Sequence, residues 1–153
     1  MKIGVLSDTH DHFDPALPEI FADVEHILHA GDIGSVRIIR ALEQIAPVTA
    51  VLGNNDVLSE FRETEVVDLG PARFLLRHIV NPHAPEPSLA RRLEREQPRA
   101  VIFGHTHRPF CETVAGRLFL NPGYAGRKRF QLARSVALVE AQGDELNVNF
   151  RTL

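Results

Sequence analysis

Residues Val101 to Phe110 read VIFGHTHRPF. Three apolar residues run into a glycine, two histidines follow one residue apart, and Arg108 and Pro109 close the segment. A strand made for a core has either a polar loop or a metal site after it, and the other strand ends decide between the two. The first apolar run, IGVL, is followed by Ser7, Asp8, Thr9 and His10; HILHAG ends on Asp32. TAVLG ends on Asn54, Asn55 and Asp56, and RFLLR ends on His78. With His105 and His107, five strands deliver Asp, Asn or His just past their last apolar residue. In α/β sheets, ligands bind outside the carboxyl ends of strands, where separate loops converge. Asp32 or Asn54 alone reads as a turn or cap residue. Together the endings supply seven oxygen and nitrogen donors, too many for one tetrahedral ion and suited to two metals sharing a ligand.

The chemistry of that set is specific. Carboxylate, carboxamide oxygen and imidazole suit divalent cations of intermediate hardness, and no thiolate is offered. Two aspartates against two divalent ions and a bridging hydroxide leave the centre near +1. Such a centre attracts phosphate oxygens while keeping a nucleophile at neutral pH. The charge balance favours phosphoester hydrolysis.

The chain has 153 residues, 44% of them hydrophobic, which fits one globular domain over 1–153 and argues against disorder. No apolar run approaches the roughly 20 residues of a membrane span. The start turns polar after Leu6, too early for a signal peptide, so a cytoplasmic location is expected. The single Cys111 excludes an internal disulfide framework and reads as a small packed residue. A net charge of −3 gives no footprint of a nucleic-acid binder. Arg127-Lys128-Arg129 is the local exception, either a solvated loop or a patch that steers anions.

Apolar runs predict strands at Lys2 to Leu6, His26 to Leu28, Pro47 to Leu52, Thr64 to Leu69, Arg73 to Arg77 and Arg99 to Phe103. Helices are expected near Pro18, after a Ser35 cap with Val36, Ile39, Leu42 and Ile45 as the apolar stripe, and from Ser88. Turns at Ala115-Gly116 and Ala141 to Asp144 predict two hairpins. Strand–helix alternation followed by an antiparallel last third implies mixed sheets with helices outside.

In their order, SDTH (Ser7 to His10), GD (Gly31-Asp32), GNND (Gly53 to Asp56) and GHTH (Gly104 to His107) resemble the motifs of the calcineurin-like metallophosphoesterases. The likeness is greatest to the small single-domain phosphodiesterases of bacteria and archaea, and runs from Lys2 to about Gly123. It implies a four-layer α/β sandwich, two mixed β-sheets face to face with helices outside. By this resemblance Asp8, His10 and His107 hold one metal, Asn54, His78 and His105 the other, and Asp32 bridges them. The implied cofactors are two divalent ions, Mn²⁺ first, with iron, nickel, cobalt or zinc permitted by the donor set. The implied substrate is a small phosphodiester; nucleic acid is not supported by the net charge, no membrane partner is expected, and pairing with a second copy stays open.

Three positions depart from the family pattern. Asn55 stands where strong phosphomonoesterases often carry His, and its amide cannot act as a general acid near neutral pH. A preference for diesters and good leaving groups follows. His78 is followed by Ile79 instead of Gly; His83 competes for the role, but His78 directly follows the apolar run. Tyr124 replaces a small hydroxyl residue after Asn121-Pro122-Gly123 and is expected to narrow the pocket. Asp56 either orients Asn55 or a water, or is a turn aspartate, and Arg108 either contacts phosphate or pairs structurally. His29 reads as a core or supporting histidine, and His12 and Asp11 as loop residues. The rival to an enzyme is a scaffold of the same fold, illustrated by the metallophosphoesterase-like subunit of the retromer coat. A decayed site would have lost a ligand to an apolar residue, and none of the seven positions has.

Overall fold

The computed structural model describes residues 1–153. Along the chain run β1 (Lys2–Leu6), α1 (Leu17–Ile20), β2 (His26–His29), α2 (Val36–Glu43), β3 (Val48–Ala50), β4 (Thr64–Leu69), β5 (Ala72–Arg77) and α3 (Pro87–Glu96). Then follow β6 (Ala100–Ile102), β7 (Phe110–Val114), β8 (Arg117–Asn121), β9 (Ser135–Gln142) and β10 (Glu145–Thr152). They build two five-stranded sheets, ordered β10-β9-β1-β2-β3 and β4-β5-β6-β8-β7. Both are mixed. β1–β2–β3 and β5–β6–β8 are parallel, with antiparallel strands at their flanks.

The central strands are continuous apolar runs because both of their faces are covered. Alternate residues point to opposite faces. Ile3, Val5, Leu28, Ala30, Phe74, Leu76, Ala100 and Ile102 therefore meet between the sheets. Leu6 and Ile27 face the other way, onto Leu17 and Phe21 from the α1 segment and Ile38, Ile39 and Leu42 of α2. Leu75 and Val101 face Leu89 and Leu93 of α3, the two buried residues of that charged helix. Helix, sheet, sheet and helix give the four layers expected. No helix is long and apolar enough to cross a membrane.

Local departures have local causes. The helix at Pro18 is a single turn. Ser35 occupies the cap position of α2, but its hydroxyl donates to Asp11 Oδ1 instead of capping, anchoring the loop after β1. β4 and β5 form a hairpin on Gly70-Pro71, within the part expected to alternate with helices. The last turn shrinks to Gly143-Asp144 because Ala141 and Gln142 join the ladder opposite Leu146 and Glu145. Cys111 is exposed, not packed: β7 is the outer strand of its sheet, and Cys111 to Thr113 face solvent.

Candidate metal centre

β1 and β2 run parallel, and their pairing continues past both strand ends. Asp8 N–H donates to Gly31 O at 2.9 Å, His10 N–H to Asp32 O at 2.9 Å and Asp11 N–H to Ile33 O at 2.8 Å. This extension sets Asp8 and His10 beside Asp32. In the second sheet, Gly104 N–H donates to His78 O at 2.9 Å. His105 N–H then reaches across to Asp8 Oδ2 at 3.1 Å, joining the two sheets at the site. Gly104 is required by this approach, since a Cβ there would collide with Ser7 Oγ and lie 2.8 Å from Asp8 Oδ2.

Asp8, His10, Asp32, His105 and His107 all hold left-handed backbone, with φ between 44° and 70°. Non-glycine residues at positive φ cost about 1–3 kcal/mol each and cluster at functional sites. The left-handed turns aim the side chains at one another. His107 Nε2 lies 3.3 Å from Asp8 Oδ1, and His10 Nε2 lies 3.9 Å from Asp8 Oδ1 and 3.7 Å from Asp32 Oδ2. His78 Nε2 lies 3.4 Å from Asp32 Oδ2 and 3.7 Å from Asp8 Oδ1. These gaps exceed hydrogen-bond length, yet roughly 3–3.5 Å is the spacing of two donors bound at ~2.1 Å to one ion.

Asp8 Oδ1, His10 Nε2 and His78 Nε2 are buried without any hydrogen-bond partner. An orphaned buried polar atom is costly, and three facing one another fit a bound cation. His78 is already set for it. Its Nδ1–H donates to Ala30 O at 2.7 Å, which leaves Nε2 as the lone-pair nitrogen. Within reach of a shared ion stand the groups Asp8, His10, His107 and Asp8, Asp32, His78. His105 and Asn54 flank the second group, with His105 Nδ1 3.2 Å from Asn54 Oδ1 and the His78 and His105 rings 5.4 Å apart.

The two carboxylates sit in opposite environments. Burial pushes the Asp8 carboxyl up, against the pull of His78 and His107. Burial also works on Asp32, but hydrogen bonds from Asn55 and the nearby His78 and His10 hold that carboxyl below its usual range. Burial, with His10 and Arg129, depresses His107 against the pull of Asp8. His29 is fully buried and pushed down to about 3 by desolvation. Its Nδ1 accepts from Gly31 N–H, so its Nε2–H donates to Thr9 Oγ1 at 2.9 Å, and the Thr9 hydroxyl donates to Ile33 O. A neutral histidine thus braces the loops after β1 and β2, in keeping with a supporting role.

Other candidate residues resolve by position. Asn55 donates its N–H and its side-chain amide to the two oxygens of Asp32, at 3.0 and 2.9 Å. Asp56 belongs to neither donor group and accepts from the N–H groups of Gly53, Ile33 and Gly34, clamping the loops after β2 and β3. His83 is exposed beside Glu112, so His78 is the histidine brought to the site. His12 lies near Asp14. Tyr124 does not narrow an open pocket. It is fully buried, its ring 4.8 Å from that of His107 and 6.4 Å from that of His10, because its hydroxyl is anchored on Arg127 O. Arg129, from the basic run, lies over that ring at 5.6 Å. Sequence reasoning gave no role to Asn121, whose amide donates to Gly104 O and Thr106 Oγ1 while its oxygen accepts from Gly123 N–H. The signal was there: a polar residue closing the apolar run RLFLN.

Known proteins resemble this chain in sequence and in fold. A probable metallophosphoesterase of Methanothermobacter thermautotrophicus is 36% identical, over 96% of this chain and 90% of its own length. A solved archaeal phosphodiesterase superposes with a TM-score of 0.77 at 28% identity, covering all of both chains. Wild-type Vps29 of Entamoeba histolytica, complexed with zinc, superposes with a TM-score of 0.74 at 26% identity over 100% of this chain and 98% of its own. The model of the calcineurin-like phosphoesterase superfamily domain matches residues 1–144. Convergent strand ends, the donor set they carry and these likenesses agree: the chain belongs to the calcineurin-like phosphoesterase superfamily.

Proposed function

We propose that this chain is a phosphodiesterase working with two divalent metal ions. The observation that carries the reading is the set of three unpartnered buried atoms, on Asp8, His10 and His78, facing one another where five strands end. In this reading Asp8, His10 and His107 hold one ion, and Asn54, His78 and His105 the other. Asp32 serves both, supported by Oδ2 lying near a histidine of each group. Manganese is the first choice from the donor set, and iron, nickel, cobalt and zinc fit the same ligands. When bound, such a pair supplies a nucleophile from water at neutral pH and a clamp for phosphoryl oxygens.

The chain's own groups do the positioning. Asn55 holds both Asp32 oxygens, so the shared carboxylate keeps one orientation. That commitment leaves no proton donor at position 55 for a departing oxygen. Diesters and esters with good leaving groups are therefore the substrates, and alkyl monoesters turn over slowly. The likeness to a solved archaeal phosphodiesterase supports this class.

Hydrolysis of bis-p-nitrophenyl phosphate with Mn²⁺, run beside Asp32→Asn, tests the proposal. Turnover that collapses in the variant is the expected result. The second reading, a non-catalytic interaction protein, is favoured by the likeness to Vps29. Folded protein inactive with every divalent metal would select it.

A further inference from the structure

Between the loop after β5 and the loop after β6 lies an open groove of about 620 Å³. Val80, Pro82, Phe103 and Phe110 give it an apolar wall, and Thr106 and Arg108 stand at its edge. Phe103 and Phe110 meet edge to face, centroids 5.8 Å apart, leaving Phe110 partly open to solvent. Thr106 separates His105 from His107 in sequence, so the groove's edge lies one residue from two of the candidate ligands. The Thr106 hydroxyl is pinned by Asn121 and by Arg108 N–H. Arg108 is exposed and pairs with no carboxylate, leaving an uncommitted cation at the groove's edge. An apolar trough beside a cation and a phosphate-attracting centre is complementary to an ester with one anionic end and one flat apolar arm.

We infer that this groove is the subsite for an aromatic arm of the phosphoester, an aryl or heteroaryl ring against Phe110, with Arg108 on the phosphate. The inference rests on the phosphoesterase reading and adds a substrate class to it. An aromatic ring seated against Phe110 gains edge or offset stacking beyond simple burial. A methyl arm gains almost none.

Phenylphosphonate and methylphosphonate carry the same headgroup on different arms and resist hydrolysis. Titrated into the zinc-loaded chain and followed by amide NMR, phenylphosphonate should bind about tenfold tighter. It should also shift the amides of Val80, Asn81 and Phe110 beyond what methylphosphonate does. In Phe110→Ala the preference should fall to about twofold or less. Equal affinity in the wild type, or extra shifts confined to another face, would overturn the groove's role and leave the metal reading standing. Binding of neither phosphonate would overturn the phosphoesterase reading, and the groove with it.

Discussion

Two turns at opposite ends of the second sheet hold left-handed residues for opposite reasons. Between β7 and β8, Ala115 and Gly116 take φ of 50° and 79° in a two-residue hairpin turn, the signature of type I′. A Cβ on Gly116 would meet nothing within 4 Å. After β6, His105 and His107 take φ of 70° and 59°, beside a glycine packed against Ser7 and Asp8. At the hairpin the conformation serves only the chain reversal, so small residues satisfy it. At the strand ends the side chains are needed, and the chain keeps imidazole and carboxylate in a conformation that disfavours them. Neighbours hold the strain: Asp8 accepts from His105 N–H, and Asn121 fixes Gly104 and Thr106.

Acid should separate the two ends most sharply. His29 titrates near 3 when folded, below its unfolded value of 6.5, so the unfolded chain binds the proton first. Stability is full above 6.5 and is lost as pH falls from there toward 3. At about 1.4 kcal/mol per unit, the loss is on the order of 5 kcal/mol. Urea denaturation of the EDTA-treated protein between pH 7 and 4 should show this slope, and His29→Gln should flatten it. An unchanged slope would remove His29 as the acid-sensitive brace.

Metal comes next. With Mn²⁺ at about 100 times its dissociation constant, the wild type should gain about 2.7 kcal/mol for each ion bound. That corresponds to a melting shift of roughly 5–10 °C for a chain of this size. Asp8→Asn should lose at least half of the shift, and Ala115→Gly at the hairpin should show all of it. A full shift in Asp8→Asn would mean that metal binds elsewhere.

The glycines give a smaller, paired effect. Gly104→Ala should cost about 1–3 kcal/mol by overpacking and abolish the metal-induced shift. Gly116→Ala should cost about 1–2 kcal/mol through its left-handed backbone alone, with diester hydrolysis within twofold of wild type. Equal effects on metal binding would erase the distinction between the turns. Confined to catalysis is Asn55→Ala, which frees Asp32 and should lower kcat/KM about 10–100-fold. A loss below threefold would show that Asp32 needs no such support.

Much of this was legible in the residues. β1, β2, β5 and β6 are apolar runs ended by polar donors, so their existence and their common end followed from pattern. Pro18 marked a helix start and Ala115-Gly116 a hairpin, each through a local backbone restriction. What stayed hidden depends on distant partners. Asp56 reads as a turn residue until the loop after β2 supplies Ile33 and Gly34 N–H groups. Tyr124 reads as a pocket residue until its ring is found buried beside those of His10 and His107. Cys111 reads as packed until β7 proves to be a sheet margin. His78 reads ahead of His83 because it directly follows the apolar run, but what orients it is Ala30 O, 48 residues away.

The most direct measurement is the number of Mn²⁺ ions bound per chain, by equilibrium dialysis of EDTA-stripped wild type and His78→Ala. The strained, unpartnered donor cluster predicts about two ions for the wild type and a loss of at least one in the variant. Saturation at none, or the same count in both proteins, would contradict it.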